Sequence, residues 1–435
     1  MTRVVVVGAG PAGMAAAAVA AERGCAVTLL DENNAAGGQL WRGADAEAPA
    51  KSAHGSEFAY WCKRLEASGA ETRTGSTVVD SPSPRVLRVE REGRWRDVRF
   101  DRLILATGAR ERFLPFPGWT LPGVMGVGGL QALVKTGLPI EGKRVVVAGS
   151  GPLLLAVAAA MARAGARIEC IFEQTPWLRL LRFGASLAGH PRKLVEGARH
   201  RLQTMRARYQ AGWWVKRALG EGRLQSVVVS NGRTEREIAC DYLACGFHLV
   251  PNLELAQLLG CKIEGGYVAV GRAQHTSVEA VYCAGEPTGI GGLDKALVEG
   301  QVAGLTAAGR EAEALRLVAQ QQKQRRFARQ LNAAFALRAE LRALAEPGTI
   351  VCRCEDVPRA VLEPCATGRT ARLHTRCGMG PCQGRVCGPA TEFLFGWSVA
   401  GVRPPLYPAR ISTLAASPQS EERSSSEAEI GASMP

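Results

Sequence analysis

Six cysteines crowded near the end of the chain are the residues with the clearest capacity for chemistry. They are Cys352, Cys354, Cys365, Cys377, Cys382 and Cys387. The other seven are scattered from Cys25 to Cys283, mostly inside apolar runs, as expected of small core residues in a reducing compartment. In an intracellular enzyme, crowded cysteines bind metal far more often than they form disulfides. The sequence therefore predicts a metal centre in this segment.

The spacing of these cysteines indicates which metal they would hold. A C-x-C pair lies in the stretch IVCRCEDV at 350–357, and the stretch TRCGMGPCQGRVC follows at 375–387. Two cysteines one residue apart can share an edge of a cluster, and a distant pair can complete four thiolate ligands around two irons. We therefore expect a [2Fe-2S] cluster. A zinc ion bound by four thiolates and a site that has lost its metal are the alternatives. Five cysteines compete for four ligand places, and Cys365 is a sixth and the least suited candidate.

A glycine-rich turn near the N-terminus predicts a dinucleotide site. The turn follows the strand RVVVV and opens an alanine-rich helix, and the next strand ends in an acid. The first glycine permits the tight turn, the second lets a pyrophosphate approach the backbone, and the third lets the helix pack on the sheet. The helix N-terminus then holds the phosphates, and the acid accepts a hydrogen bond from a ribose hydroxyl. The predicted binding residues are Gly8, Gly10, Pro11, Ala12, Gly13, Asp31 and Glu32.

A second turn of the same type, RVVVAGSGP at 144–152, predicts a second dinucleotide-like unit. Its candidate binding residues are Gly149, Gly151 and Glu173, which ends the following strand. Leu154 stands where the third glycine belongs, and we expect it to push the helix away from the strand. Glu173 would suit a ribose diol and repel a 2′-phosphate, so a dinucleotide bound here would be NAD. A site kept for structure, or one that holds another nucleotide, is the open alternative.

Length and charge bound the remaining possibilities. A chain of 435 residues is too long for one ordinary core. No run of 18 apolar residues occurs, so we expect no segment that spans a bilayer. The net charge of +14 is spread along the chain, including an arginine-rich helical stretch at 178–210, and favours an acidic partner subunit or nucleotide phosphates over nucleic acid. We expect a cytoplasmic protein, with peripheral association at the inner membrane left open.

The order of these elements predicts an α/β fold with two dinucleotide-binding domains and a small helical Cys-rich module. The predicted divisions are the first half of the N-terminal dinucleotide-binding domain at 1–125, a second dinucleotide-binding-like domain at 126–245, the second half of the N-terminal domain at 246–309, a helical bridge at 310–345, the [2Fe-2S] module at 346–405 and a tail at 406–435 whose last 20 residues have a disordered composition.

Three further segments make FAD the expected cofactor. The stretch AGGQ at 36–39 resembles the GGQ turn of thioredoxin-reductase-like flavoproteins, LATGA at 105–109 resembles the segment that ends their first FAD half, and VYCAGE at 281–286 resembles their second FAD motif. That resemblance implies that FAD contacts Gly38, Gln39, Ala106, Thr107, Gly108, Gly285 and Glu286. Glu286 stands where those proteins usually have aspartate. No C-x-x-C lies in this region, so their dithiol relay cannot operate here.

The cysteine segment resembles the bacterioferritin-associated-ferredoxin-like module, and more closely its version in the α subunits of heteromeric amine and opine dehydrogenases. Their pattern, C-R-C-E-D-V followed by T-R-x-G-M-G-x-C-Q-G-R-x-C, implies the ligands Cys352, Cys354, Cys382 and Cys387. It leaves Cys377 at a variable position, as the reserve ligand. The family includes subunits of opine oxidases, hydrogen cyanide synthase and D-hydroxyproline or proline dehydrogenases, and GSGPLLLAVAAAMARAGA at 149–166 is similar to it, Leu154 included.

Two functional hypotheses follow. The resemblance implies an electron-transferring subunit whose partner, a β subunit of the D-amino-acid-oxidase type, oxidises a secondary amine (opine, D-hydroxyproline, proline) or a glycine-like amino acid, with a small [2Fe-2S] γ subunit in some complexes. The alternative is a self-contained NADH-dependent flavin and iron–sulfur reductase, and a non-enzymatic scaffold with relic sites is a third possibility. The six histidines are scattered, and no acid–base pair for catalysis is apparent in the sequence.

Overall fold

The computed structural model describes residues 1–43, 55–397 and 401–415. These residues form strands and helices. The strands are β1 (Arg3–Val7), β2 (Ala26–Leu30), β3 (Glu71–Arg73), β4 (Thr77–Ser83), β5 (Val86–Arg91), β6 (Arg94–Arg99), β7 (Arg102–Leu105), β8 (Ala109–Glu111), β9 (Val124–Gly126), β10 (Arg144–Ser150), β11 (Arg167–Glu173), β12 (Arg208–Ala211), β13 (Trp214–Leu219), β14 (Ser226–Ser230), β15 (Glu235–Ala239), β16 (Tyr242–Phe247), β17 (Leu249–Pro251), β18 (Ile263–Glu264), β19 (Tyr267–Val268), β20 (Val281–Cys283), β21 (Ile350–Cys352) and β22 (Val357–Pro358).

The helices cover the sheets and form most of the C-terminal third. They are α1 (Pro11–Glu22), α2 (Gly55–Ala67), α3 (Val127–Lys135), α4 (Leu153–Arg163), α5 (Trp177–Ser186), α6 (Pro191–Gln203), α7 (Glu254–Leu258), α8 (Leu293–Ala307), α9 (Glu311–Arg316), α10 (Val318–Ala334), α11 (Arg359–Leu362), α12 (Gly368–Thr375), α13 (Cys387–Phe395) and α14 (Ile411–Leu414), with 3₁₀ turns at Leu187–Gly189, Glu286–Thr288 and Ala339–Ala343. Among the residues that the structure describes, no helix is both long and apolar enough to cross a bilayer.

The first parallel sheet has the strand order β20-β7-β1-β2-β3. Its strands come from both ends of the first 310 residues, because β20 lies beyond the second sheet in the chain but pairs with β7. Helix α1 packs on one face of this sheet, and its alanines from Ala15 to Ala18 are fully buried. Small side chains let α8 lie directly against α1, so the two predicted flavin halves share one core.

The second sheet has the order β12-β11-β10-β16-β9 and is also parallel. Strand β12 includes residues 208–210 of the stretch predicted to be helical, because it pairs with β11 and completes the sheet edge. The predicted boundary after residue 125 falls within β9 for a similar reason, since β9 pairs with β16. The α/β fold class with two such units is confirmed.

The Cys-rich module is small and has its own core. Strands β21 and β22 pair antiparallel, and α11 to α13 surround a buried cluster that includes Cys352, Cys377 and Cys387. The following segment folds back onto the sheet β4-β5-β6, where buried Arg88 donates a hydrogen bond to the carbonyl of Thr413. The last 20 residues, predicted to have a disordered composition, lie outside the described residues.

Candidate functional site

The first glycine turn is held by backbone contacts that leave no room for side chains. Gly8 has φ +104°, and a Cβ there would lie 2.2 Å from the carbonyl oxygen of Ala106. A Cβ on Gly13 would lie 1.7 Å from the carbonyl oxygen of Gly8. The turn therefore brings the N-terminus of α1 against the end of β7, which is the arrangement that presents backbone N–H groups to a pyrophosphate.

The acid that follows β2 is used by the protein itself. Asp31 is 6 % exposed, and its Oδ2 accepts a hydrogen bond from the amide of Ala9 at 2.5 Å. Its Oδ1 accepts from the backbone amide and side-chain amide of Asn33 at 2.7 and 2.8 Å. Asp31 thus braces the glycine turn. The adjacent Glu32 is exposed.

The GGQ segment closes over this turn. The amide of Gly37 donates to the carbonyl of Ala9 at 2.8 Å, and a Cβ on Gly38 would lie 2.9 Å from the Cα of Gly10. Gln39, the last residue of the motif, is exposed. The predicted residues Gly10 and Gly38 are therefore brought together, and only glycine permits the approach.

Helix packing brings the second flavin motif to the first. A Cβ on Gly300 of α8 would lie 2.2 Å from the carbonyl oxygen of Ala12, and one on Gly304 would lie 2.5 Å from that of Ala16. The close contact of α8 with α1 places Gly285 beside Ala12, where an added Cβ would be 2.9 Å from the Cβ of Ala12. The three predicted segments around Gly8, Gly38 and Gly285 thus meet at the start of α1.

Glu286 lies just before the N-terminus of α8. Its two carboxylate oxygens accept hydrogen bonds from the amides of Gly291 and Gly292 at 2.8 and 2.9 Å. Burial raises the pKa of Glu286, and the nearby Lys295 and these two amides oppose that rise. The carboxylate that replaces the usual aspartate is therefore engaged in fixing the loop before α8.

A buried charge cluster supports the same loop. The Nζ of Lys295 lies 2.6 Å from the Oε2 of Glu299 and also donates to the carbonyl of Gly285 at 2.8 Å. The Nε of Arg325, from α10, lies 2.8 Å from the Oε1 of Glu299. Lys295 and Glu299 are 1 % and 0 % exposed. Burial opposes the charge on Glu299, but the two cations prevail and its pKa is lowered.

The third segment, Ala106 to Gly108, is fixed by Asn252. The hydroxyl of Thr107 donates to the carbonyl of Asn252 at 2.7 Å, and the side-chain amide of Asn252 donates to the carbonyl of Thr107 at 2.8 Å. Arg110 follows and donates to the Oδ1 of Asn252 at 2.7 Å. It also pairs with Glu254 at 2.9 Å. The segment is thereby held between β7 and the strand pair β8–β17.

Three buried thiols of the Cys-rich module converge. The Sγ atoms of Cys352, Cys377 and Cys387 all lie within 4.8 Å of one another. Hydrogen bonds from the thiols of Cys377 and Cys387 lower the pKa of Cys352. Such a group of three converging thiols fits a metal bound by thiolates.

Two further cysteines form a neighbouring pair. The thiol of exposed Cys354 is hydrogen-bonded to the backbone amide and to the thiol of Cys382. A Cβ on Gly380 would lie 2.3 Å from the Cβ of Cys354, so the loop at 378–384 presses against the C-x-C turn. Cys365 lies apart, with its thiol 3.9 Å from the carbonyl of Val361. The structure thus divides the five candidates into a buried group of three and this more exposed pair, and the predicted ligand set takes two from each.

The cysteine loop is attached to the third flavin segment. The Nε of Arg110 donates to the carbonyl of Arg385 at 3.2 Å. Arg385 lies between Cys382 and Cys387, donates to the carbonyl of Leu406 at 2.6 Å, and stacks its guanidinium 4.0 Å from the ring of Tyr407. The module is anchored a second time by the indole N–H of Trp119, which donates to the carbonyl of Ile350 at 2.6 Å.

The second glycine turn is braced by its acid in the same way as the first. Glu173 is 1 % exposed, and its carboxylate accepts hydrogen bonds from the amides of Gly151 and Thr175 at 2.7 and 2.9 Å. Burial raises the pKa of Glu173 to about 7, with the amides opposing. Leu154 is buried in the core between α4 and the second sheet. Glu173 therefore braces its turn as Asp31 braces the first.

The end of the helical bridge lies across this turn. The hydroxyl of Ser150 donates to the carbonyl of Phe335 at 2.9 Å. The side chain of Gln174 donates to the carbonyl of Ala336 at 3.3 Å and accepts from the amide of Arg338 at 3.2 Å. These contacts occupy the carboxyl ends of β10 and β11, which is where a dinucleotide binds in an open parallel sheet.

Sequence reasoning missed the residues that join the sites. Arg110 and Arg385 carried a local signal, because one follows the ATGA stretch and the other lies inside the cysteine motif. Lys295 and Glu299 also carried one, as an i, i+4 pair of opposite charge within a mostly apolar helix. Asn252 had none.

The residues present fit both expected groups. Three glycine-containing segments meet at a helix N-terminus without side chains in the way, as FAD requires. Five cysteines supply more thiols than a four-ligand cluster needs.

Comparison with known proteins agrees with this geometry. The family described as pyridine nucleotide-disulphide oxidoreductase matches residues 2–312. The chain is 32 % identical over 425 residues to hydrogen cyanide synthase subunit HcnB of Pseudomonas aeruginosa, across 88 % of this chain and 90 % of that one. It is 34 % identical over 466 residues to an opine oxidase subunit from Rhizobium meliloti, across 94 % of this chain and 98 % of that one.

Solved structures share the fold. An L-proline dehydrogenase from P. horikoshii superposes with a TM-score of 0.67 at 17 % identity, covering 95 % of this chain and 79 % of that one. Thioredoxin reductase from T. acidophilum superposes with a TM-score of 0.56 at 24 % identity, covering 72 % of this chain and all of that one. The predicted resemblances are confirmed, and the chain belongs to the pyridine nucleotide-disulphide oxidoreductase family, as a flavoprotein oxidoreductase.

Proposed function

We propose that this chain is the electron-transferring subunit of a heteromeric dehydrogenase and carries FAD and a [2Fe-2S] cluster. A partner subunit of the D-amino-acid-oxidase type oxidises the substrate, and the electrons pass to this chain. The observation that carries the proposal is the closed second glycine turn, where Ser150 and Gln174 are bound by residues 335–338 at the end of the helical bridge. A reductase that turns over NADH needs that turn open.

The names of the relatives support the class of substrate. They include subunits of opine oxidase and sarcosine oxidase, and a structural neighbour is an L-proline dehydrogenase. Opines, sarcosine and proline are all secondary amines. We therefore propose that the complex oxidises a secondary amine or a related amino acid, and that the substrate pocket lies on the partner.

The chain's own residues have separable roles in this scheme. Gly8, Gly10 and Gly13 let the pyrophosphate of FAD lie at the start of α1, and Glu32 binds the ribose. Lys295 and Glu299 hold the loop of the second motif in place. The chemistry that FAD and the cluster supply when bound is the conversion of a two-electron transfer into single-electron steps.

The proposed cluster ligands are Cys352, Cys354, Cys382 and Cys387, with Cys377 in reserve. Two observations support the set. Cys352 and Cys387 belong to the buried group, and Cys354 and Cys382 lie beside each other at its exposed edge. Arg110 and Arg385 hold this loop against the third flavin segment, which keeps the two centres in one rigid unit.

Anaerobic reduction of the purified chain tests the proposal. We expect NADH alone to leave the flavin absorbance unchanged, and a secondary amine such as proline or an opine to bleach it only when the D-amino-acid-oxidase-type subunit is present. Dithionite serves as the control that the flavin is reducible. Prompt bleaching by NADH alone would establish the reductase alternative and overturn the proposal.

A further inference from the structure

The segment at 401–415, called the C-terminal segment below, packs on the domain that contains the first glycine turn. The backbone amide of Leu406 donates to the carbonyl of Val79 in β4 at 2.8 Å. Leu406 is 4 % exposed and belongs to the same buried cluster as Leu30, the last residue of β2. The ring of Tyr407 packs on that cluster as well. The C-terminal segment is thereby fixed to the opposite end of the chain.

Strand β4 begins beside the acid turn that follows β2. The amide of Ser76, immediately before β4, donates to the carbonyl of Asp31 at 2.7 Å, and Glu32 comes directly after that acceptor. Val79 is three residues, or about 10 Å, further along the chain of β4. The hydrogen bond of the C-terminal segment to Val79 therefore brings Tyr407 into the region next to Glu32.

The electrostatic environment of Tyr407 agrees with that position. Burial raises the pKa of its hydroxyl, the negative charge of Glu32 adds to the rise, and Arg385 opposes it. The guanidinium of Arg385 lies 4.0 Å from the ring centroid of Tyr407 and donates to the carbonyl of Leu406 at 2.6 Å. Arg385 therefore holds this ring beside Glu32, the proposed ribose ligand.

Further hydrogen bonds connect this ring with the third flavin segment. The carbonyl of Arg385 accepts from Arg110 at 3.2 Å, and Arg110 donates to Asn252 at 2.7 Å. Asn252 in turn donates to the carbonyl of Thr107 at 2.8 Å. A dinucleotide lies across the carboxyl ends of the strands in such a sheet, with its ribose at the acid after the second strand. Tyr407 is the aromatic member of the contacts that border this region.

We infer that Tyr407 binds the adenine of FAD, with Arg385 fixing the ring in place. An aromatic side chain binds a purine by stacking on the face of the base, which needs no hydrogen bond to the base edge. The inference rests on the proposed function for the presence of FAD and for the role of Glu32. It makes the C-terminal segment part of the flavin site, so that both ends of the chain hold one cofactor.

Tyr407→Leu and Tyr407→Phe test the inference in the full chain. Leucine keeps an apolar side chain that packs on the buried cluster but has no ring, whereas phenylalanine keeps the ring. FAD binding is measured by titrating the flavin-free chain with FAD and by the recovery of flavin fluorescence when the loaded chain is diluted. We expect Tyr407→Leu to raise the dissociation constant of FAD at least about fivefold, and Tyr407→Phe to bind FAD like the wild type.

Tyr60→Leu is the matched control. Tyr60 lies on α2 and is also contacted by an arginine, since the Nη1 of Arg64 lies 3.3 Å from its hydroxyl, but it is 55 % exposed. We expect this variant to bind FAD like the wild type. The urea midpoint of each flavin-free chain and its iron–sulfur absorbance are recorded, and we expect both to be the same in Tyr407→Leu as in Tyr407→Phe.

The outcomes separate the inference from the proposed function. If the wild-type chain binds no FAD, the proposed function fails. If the wild type binds FAD and Tyr407→Leu binds it equally well, Tyr407 does not bind the adenine and the proposed function stands. A loss of affinity in Tyr407→Phe or in Tyr60→Leu as large as that in Tyr407→Leu also refutes the inference, because the effect would not then depend on a ring at this position.

Discussion

Replacing Lys295 by methionine should destabilise the protein, because it removes one of the cations that compensate the buried charge of Glu299. The methionine fills most of the same volume, but it leaves Glu299, which is 0 % exposed, with Arg325 as its one remaining cationic partner among the described residues. Breaking a buried ion pair by removing one partner costs roughly 3–5 kcal/mol. Because the ion pair of Arg325 with Glu299 at 2.8 Å remains, we expect a loss near the lower end, about 3 kcal/mol.

The double variant Lys295→Met, Glu299→Gln separates charge from packing. It removes the uncompensated carboxylate while keeping an amide that can still accept from Arg325, so we expect it to recover at least about 1 kcal/mol of the loss. The pH dependence has a definite sign. The pKa of Glu299 is lowered in the folded protein, so its stabilisation is present above the ordinary pKa of a glutamate and is lost as pH falls. Without Lys295 that loss should begin at higher pH.

Urea unfolding followed by far-UV circular dichroism and by flavin release measures both effects. Lys262→Met is the matched control, because the Nζ of Lys262 lies at the same 2.6 Å from the Oε1 of Glu264, but at an exposed site. We expect the control to leave the unfolding midpoint unchanged. The reasoning is refuted if Lys295→Met unfolds at the wild-type midpoint, or if the control shifts it equally.

Three further predictions concern the cluster, the closed turn and the helix contact. Cys382→Ser should abolish the iron–sulfur absorbance while Cys377→Ser retains it, and the opposite pair of spectra would give Cys377 the ligand position. The free energy of unfolding of the wild type should fall by about 3 kcal/mol as pH rises towards about 7, because the pKa of Glu173 is raised in the folded protein and the unfolded chain releases this proton first. Glu173→Gln should remove this fall. A wild-type free energy of unfolding that stays constant with pH over that range would contradict the prediction. Gly300→Ala should lose flavin on desalting, since its Cβ would lie 2.2 Å from the carbonyl oxygen of Ala12, and a fully loaded variant would show that α8 can shift at no cost to the site.

The parts of the fold that could be predicted are those set by local sequence. Strand, glycine turn and helix are consecutive at residues 3–22, and each glycine has a backbone reason that its neighbours reveal. The same holds for the repeat of this unit at 144–163. The two units and the α/β class were confirmed because these signals are strong and close together in the chain.

The closure of the second turn had no such signal. Ser150 and Gln174 bind residues 335–338, more than 160 positions away, and nothing in a helical bridge pattern indicates where its end will pack. The cysteines pose a similar problem. Positive φ angles at Gly378, Gln383 and Gly384 turn the loop so that Cys377 reaches the buried group, and spacing alone does not reveal that geometry.

The contact of Arg110 with the cysteine loop favours joint action of the two proposed centres over joined but separate modules. One guanidinium binds the carbonyl of Arg385, the side chain of Asn252 and the carboxylate of Glu254. Asn252 in turn exchanges two hydrogen bonds with Thr107 of the third flavin segment. These contacts link the cysteine loop to the flavin segment, so we expect the two to move together. Such rigidity suits a relay, because single-electron steps between two centres need a fixed separation, whereas a reductase that opens for a nucleotide would gain from a looser connection.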